Sequence, residues 1–344
     1  MEKIINTGLN SIGYKQPCYI IAEIGSNHNG NYDIACEMIE KAKDANVNAV
    51  KFQTFKAKEH YSHRTPKIGL YNENIYDLIE KLEIDRTWHA KIAKLCAELK
   101  LDIIDSPCDK EAVDIAVKVG MPLIKIASYD MVDDVLVNYI AKTGKSVIFS
   151  TGMSTSAEIE NVVNICRRNN NNKIIALQCT SLYPAPVYLS NLNAMSSIAN
   201  MFGIITGYSD HTLGDHIACA AVAMGAKIIE KHYTLNRNLP GPDHNFAIEP
   251  DELKVMVERI RDIESAFGDG LKNGPHEEEK ELFLKARRSI IAKNKIQKGQ
   301  VITQDDIIIK RPGIGIHPSQ LKLLVGRKAL IDIEDDEPIT WEMV

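Results

Sequence analysis

An α/β chain built as a (β/α)8 barrel, followed by a small β-rich domain, is the architecture this sequence predicts. Three observations carry the prediction. Short apolar runs alternate eight times with stretches of helical period between residues 18 and 268, close to the roughly 250 residues such a barrel needs. The runs are almost continuously apolar, as in a sheet covered on both faces. Nearly every run also ends in a polar or ionisable side chain, at the end where barrel enzymes assemble their sites. An open doubly wound sheet shares the periodicity, but it would not bring all those side chains to one point.

Taken in order, the predicted strands are Tyr19–Ile24, Ala49–Gln53, Asp102–Asp105, Leu123–Ala127, Ser146–Ser150, Ile174–Gln178, Ile204–Gly207 and Ile228–Glu230. Between them lie helices over Tyr32–Ala45, Arg86–Leu99, Lys110–Lys118, Asp133–Thr143, Thr155–Arg168, Leu189–Met201 and His216–Met224. A helix over Asp251–Phe267 follows the eighth strand. In the first helix Ile34, Met38, Ile39, Ala42 and Ala45 recur at steps of three and four, which gives one apolar face.

Past Gly268 the texture changes, and the expected division is a barrel over residues 1–268, a linker over 269–284 and a second domain over 285–344. Gly268 to Glu279 has no apolar period. Beyond it lie strand-like runs at Ser289–Ala292, Ile307–Ile309 and Lys328–Ile331. A weak repeat aligns Ile296–Ile307 without gaps on Ile333–Val344, each copy holding a turn, an apolar anchor, a Thr cap and one helical turn. Two such copies suggest a small pseudo-symmetric β domain.

Composition narrows the class. The chain has 344 residues, 44% hydrophobic and 25% charged, with a formal net charge of −5. That excludes a strongly basic nucleic-acid binder and a disordered chain. No run approaches the ~20 apolar residues of a membrane span, and Met1–Ile5 lacks the longer apolar core of a secretory signal. Seven scattered cysteines with no CxxC pair argue against a disulfide framework and for a reducing cytoplasm.

Candidate chemistry gathers at the strand ends. His211 and His232 belong to adjacent strands seven and eight at equal height. Imidazoles so placed suit a divalent cation with open positions for water and substrate. A lone strand-end histidine is commonly structural, and the others, such as His60, His63 and His89, fall in loops or on helix faces and carry no signal. Lys51 and Lys125 sit inside strands, where a lysine is costly unless its charge is met. With Ser106, Ser128, Ser150 and Ser209 they make a donor-rich basin suited to a small dianion such as a phosphorylated carboxylate. Two other readings are open: a strand lysine forming a Schiff base, or lysines merely paired with Glu23 or Glu230, giving stability without activity. Glu23, Gln53, Tyr183 and Asp243 add hydrogen-bonding groups of the kind that sugar hydroxyls require.

A run of motifs in order resembles one family. These are Ala22-Glu23-Ile24-Gly25-Ser26-Asn27-His28-Asn29-Gly30, Val50-Lys51-Phe52-Gln53-Thr54, Ile124-Lys125-Ile126-Ala127-Ser128 and Ser150-Thr151-Gly152-Met153. Cys179-Thr180-Ser181-Leu182-Tyr183-Pro184, Gly207-Tyr208-Ser209-Asp210-His211-Thr212, Glu230-Lys231-His232 and Gly241-Pro242-Asp243-His244 follow. The chain closely resembles the bacterial sialic acid (N-acetylneuraminate) synthases. Its tail, with Ala286-Arg287-Arg288-Ser289 and Lys310-Arg311-Pro312-Gly313-Ile314-Gly315, resembles their antifreeze-like (SAF) domain.

The resemblance implies a transferase that condenses phosphoenolpyruvate with N-acetylmannosamine, releasing phosphate through C–O cleavage, with a divalent Mn2+ or Mg2+ ion. It implies His211 and His232 as metal ligands, and Glu23, His211, His232 and Lys51 as the catalytic group. Lys51, Ser106, Lys125, Ser128, Ser150, Ser181 and Ser209 would bind phosphoenolpyruvate. Glu23, Gln53, Asp130, Tyr183 and Asp243 would bind the sugar, joined by Arg311 from the partner subunit of a domain-swapped homodimer. The chain departs from the pattern at Cys108, where members usually carry an aromatic, at Asp130, where some have Glu, and at Ser181, Asn in others.

The alternative substrate is a 2,4-diacetamido-2,4,6-trideoxyhexose, giving legionaminic or pseudaminic acid. A carbohydrate- or ice-binding protein is a further class, suggested by the tail and opposed by the ring of strand-end charges. No nucleic-acid or membrane partner is expected.

Overall fold

Residues 4–66 and 74–344 are described by the computed structural model. They separate into two compact units, one ending at Phe267 and the other spanning Gly268–Val344. Among the described residues no helix is long and apolar enough to cross a membrane.

The first unit opens with a hairpin that the sequence reading did not anticipate. Strands β1 (Ile4–Asn6) and β2 (Ser11–Gly13) pair antiparallel, with Ile5 opposite Ile12. Eight parallel strands follow: β3 (Tyr19–Gly25), β4 (Ala49–Thr54), β5 (Asp102–Pro107), β6 (Leu123–Ile126), β7 (Ser146–Ser150), β8 (Ile174–Cys179), β9 (Ile205–Asp210) and β10 (Ile228–His232). β10 pairs with both β9 and β3, so the sheet closes into the expected barrel.

Side chains two apart on a strand share a face, and here that rule sorts chemistry by depth. Tyr19, Ile21, Ala49, Ile104, Leu123, Ile148, Ile175, Leu177, Ile205 and Ile228 form one interior cluster with Ile5 and Ile12 of the hairpin. The hairpin thus stoppers the N-terminal end. Its loop residues Thr7 and Asn10 donate to the buried Asp102 carboxylate at 2.7 and 2.9 Å, as does the Tyr19 hydroxyl at 2.8 Å. One step further along the same faces stand Glu23, Lys51, Ser106, Lys125, Ser150, Ser209, Glu230 and His232, all buried. The outward face of the strands packs on helices such as Tyr32–Asp44, which buries Ala35, Met38, Ile39 and Ala42 and is capped by the Asn31 side chain.

Two strand ends run past the apolar residues that announce them. β9 begins at Ile205 and continues to Asp210 instead of covering Ile204–Gly207, and β10 reaches His232. Their ladder is held by backbone groups, with Ser209 opposite both Cys179 and Glu230, and does not require apolar side chains. Gly207 marks a close approach in this wall. A Cβ there would lie 2.4 Å from the Ile228 carbonyl oxygen and 2.8 Å from Ile228 Cβ.

The second unit differs in part from expectation. Helix Lys280–Lys285 occupies the stretch read as a linker, and Lys328–Ile331 is no strand, contributing only an isolated bridge between Lys328 and Val301. Strands β11 (Ser289–Ala292) and β12 (Ile307–Lys310) pair antiparallel. The repeat is visible in space: Ile296, Ile302 and Ile307, and their counterparts Ile333, Ile339 and Val344, are all buried. Ile296 and Ile333, equivalent positions, exchange both backbone hydrogen bonds at 2.9 Å.

Substituting Gly207→Ala should overpack the barrel wall and cost about 1–3 kcal/mol. The urea midpoint should fall with an unchanged slope; an unshifted midpoint would show that the wall yields at this point.

Candidate active site

The C-terminal ends of the barrel strands enclose a pocket of about 680 Å3. It is lined by Glu23, Lys51, Gln53, Ser106, Lys125, Ser128, Asp130, Ser150, Ser181, Tyr183, Ser209, His211, His232 and Asp243. These are all the barrel residues singled out from the sequence. Arg311 lies in the second unit, exposed, with its Nε donating to the Ala286 carbonyl at 2.6 Å.

Two lysines and two carboxylates form the floor of the pocket. Lys51 Nζ lies 2.8 Å from Glu23 Oε2 and 3.7 Å from Glu230 Oε2. Lys125 Nζ lies 3.8 Å from Glu230 Oε1 and donates to the Ile126 carbonyl at 3.1 Å. Ser209 Oγ donates to Glu230 Oε1 at 3.0 Å, and Gln53 Nε2 to Glu23 Oε1 at 2.6 Å.

The two carboxyls respond differently. Burial pushes Glu23 up to about 7, against the pull of Lys51 and with the help of the Glu230 charge. Burial also acts on Glu230, but Lys125, Lys51 and the Ser209 hydroxyl outweigh it and hold that carboxyl below its ordinary value. Burial lowers Lys125, with Glu230 opposing. The ion pairs read as a purely structural alternative are therefore present, and they line the pocket. Glu230 is expected both at the end of the eighth strand and as a lysine partner; its place two residues before His232 puts it on the same inward face.

Beside this network the ring centres of His211 and His232 are 5.3 Å apart. His211 Nδ1–H donates to the Thr180 carbonyl at 2.8 Å. Burial, reinforced by His211 and Lys51, holds His232 well below the usual imidazole range, so its ring is neutral. Its Nδ1 is buried with no hydrogen-bond partner, 3.5 Å from Asp243 Oδ2. Burial acts against the charged form of His211 too, but Cys179 and the Thr180 carbonyl outweigh it and raise that imidazole above its ordinary value. Two buried imidazoles, one with its Nδ1–H fixed on a backbone carbonyl, are a donor set that a divalent cation takes once both are deprotonated. Burial pushes Asp243 up to about 6, against His211 and Lys51. The Tyr183 ring stacks at a tilt on His211, 4.3 Å between centres.

At the ends of β6, β7 and β8, the last of which pairs with β9, hydroxyls converge. Ser150 Oγ and Ser181 Oγ are buried without a hydrogen-bond partner. A Cβ on Gly152 would sit 2.1 Å from Ser181 Oγ and 2.9 Å from Ser128 Oγ, so only glycine leaves that hollow open. Gly152 N–H donates to Ser128 Oγ at 3.0 Å. Orphaned donors beside Lys125 form a cradle for anionic oxygens.

One residue set aside in the sequence belongs here. His60 lines the pocket from the end of the short helix Ala57–His60, together with Cys108. A four-residue helix offers no period from which its position could be read.

Comparison with known proteins shows the family. Residues 38–272 match the NeuB family and residues 287–344 the SAF domain. An uncharacterised protein of Methanocaldococcus jannaschii is 40% identical, covering 99% of this chain and 98% of its own. The N,N'-diacetyllegionaminic acid synthase of Campylobacter jejuni is 38% identical (93% and 98%), and the pseudaminic acid synthase of Helicobacter pylori 34% (94% and 97%). The crystal structure of N-acetylneuraminic acid synthetase from Leptospira borgpetersenii superposes with a TM-score of 0.75 at 33% identity, covering 82% of this chain and 95% of that one. The chain is thus an enzyme, a transferase of the sugar-acid synthase type, and it belongs to the NeuB family.

Proposed function

We propose that the protein condenses phosphoenolpyruvate with an N-acyl amino sugar to give a nine-carbon acid and phosphate. The observation that carries this reading is the pair of inward imidazoles facing a basin with two lysines and two orphaned hydroxyls. A cation site beside an anion cradle suits a carbonyl acceptor meeting an enol phosphate.

His211 and His232 are the residues proposed to hold a divalent ion, Mn2+ or Mg2+. Such an ion supplies Lewis acidity toward a carbonyl oxygen. Lys51 and Lys125, with Ser106, Ser128, Ser150, Ser181 and Ser209, bind the carboxylate and phosphate of phosphoenolpyruvate. Gln53, Asp130, Tyr183 and Asp243 orient the sugar. The C2=C3 electron pair forms the new bond to the aldehyde carbon, whose oxygen takes a proton. Water adds at C2 and loses one proton; the C2 hydroxyl that remains gives up its proton to the departing phosphate as the carbonyl forms and the C2–O bond breaks with its pair leaving on phosphate. Glu23, acidic near neutrality and fixed by Gln53 and Lys51, accepts the proton of that water. Holding both reactants side by side contributes up to about 7–11 kcal/mol.

Two acceptors fit this scheme. N-acetylmannosamine, giving N-acetylneuraminate, is the first reading of the motifs. The 2,4-diacetamido-2,4,6-trideoxyhexose that leads to legionaminic acid is favoured by the 38% identity to the Campylobacter jejuni synthase. The domains act as a catalytic barrel over 1–268, a linker over 269–284 and an SAF domain over 285–344. In the proposed assembly, a homodimer, Arg311 of each tail completes the sugar site of the other barrel. Seven free cysteines accord with a cytoplasmic setting.

With Mn2+, phosphoenolpyruvate and a panel of hexosamines, mass analysis should find one nine-carbon product. Oxygen from labelled water should appear in that product and not in phosphate. Chelation should stop turnover reversibly, and His232→Ala should abolish it with an unchanged circular dichroism spectrum; appreciable turnover by that variant would sink the metal assignment. The pH profile of kcat/KM should fall about tenfold per unit below about 7 as Glu23 takes up its proton. Glu23→Gln should leave a low, pH-flat residual rate; a limb that persists in this variant assigns the base elsewhere. Mixing His232→Ala with Arg311→Ala protein should restore activity if the tails exchange, whereas an inactive mixture refutes the exchange.

A further inference from the structure

Three successive strand–helix connections bring unlike donors together at the rim of the pocket. His60 ends the helix after β4, Cys108 follows β5, and Asp130 follows β6. His60 Nδ1 lies 3.7 Å from Asp130 Oδ1, and Cys108 Sγ lies 3.5 Å from Asp130 Oδ2. One donor atom from each lies within 4.8 Å of the other two. Ligands bound tetrahedrally at zinc–donor distances of about 2.0–2.3 Å stand about 3.3–3.5 Å apart. The two distances, which end on different oxygens of the Asp130 carboxylate, are each within a few tenths of an ångström of that spacing.

We propose that His60, Cys108 and Asp130 form a second cation site, separate from His211 and His232, that takes a zinc-class ion. The donor chemistry selects the ion. A thiolate with an imidazole and one carboxylate is a borderline-soft set that Zn2+ or Co2+ prefers, whereas Mn2+ and Mg2+ favour oxygen. Binding releases the thiol proton to solvent as the sulfur–metal bond forms. Three protein ligands leave a fourth position, and since all three residues line the pocket, that position faces its interior.

Filling the site closes the end of the pocket at which Asp130 is proposed to hold the sugar. This consequence rests on the proposed function, whereas the binding itself does not. An ion there engages the Asp130 carboxylate and occupies space the sugar needs, so it competes with sugar and not with phosphoenolpyruvate.

The test uses the full-length protein with Mn2+ in excess and Co2+ as the probe. Titration should produce a near-ultraviolet thiolate-to-cobalt band that saturates at one equivalent and is erased by Zn2+. The band should be lost in Cys108→Ser, weakened in His60→Gln and retained in Cys179→Ser, whose sulfur lies 3.8 Å from His211 Nδ1. Thermal unfolding of each variant confirms that it is folded. No band in the parent protein, or a band that survives Cys108→Ser, overturns the site. In turnover with Mn2+, added Zn2+ should raise the apparent KM for sugar several-fold and leave that for phosphoenolpyruvate unchanged. A cobalt band with no change in sugar KM overturns the occlusion and leaves the site standing.

Discussion

Glu23, Lys51, Lys125 and Glu230 are buried together, and none of the four charges is tolerable there alone. Lys51 stands between both carboxylates, and Lys125 reaches the second of them. Two positive and two negative groups balance one another, so the barrel can keep them out of water before any substrate arrives. The balance is uneven in a useful way. Glu230 is held firmly as a carboxylate by two lysines and a serine, whereas Glu23 is left near neutrality, where it can exchange a proton at small cost. The same network therefore stabilises the upper barrel and sets apart one acid from its neighbour.

The period of two on each strand is what turns this network into a pocket. Below, the inward faces are isoleucine, leucine and alanine with Tyr19; above, they are charged or hydroxylated. Gly207 lets β9 approach Ile228 in the wall, and Gly152 leaves the hollow in which Ser128 and Ser181 meet. Both glycines act through the side chain they lack.

Much of this is legible in the sequence because burial and chemistry alternate along the same strands. Lys51 and Lys125 each follow apolar residues, and His211 and His232 stand just past such runs, in an order that predicts a ring. What escapes is short or lacks contrast. The three-residue strands of the hairpin carry no period, and helix Lys280–Lys285 has no buried face. β9 outlasts its apolar residues because its last residues turn polar groups into the pocket while the backbone ladder continues. Glu230 is legible at the end of the eighth strand beside His232, but the sequence assigns it no role beyond that of a counter-ion. His60 is brought to the rim by a connection whose path only the folded chain reveals.

The stoppered floor has a kinetic consequence. With Ile5 and Ile12 packed into the N-terminal end, traffic to the buried charges must use the rim between the loops. In the proposed reaction the enol phosphate lies deeper than the sugar, so a sugar that arrives early blocks its own co-substrate. A vessel with one neck imposes an order of filling, and it also requires the outer occupant to depart before the inner one can leave.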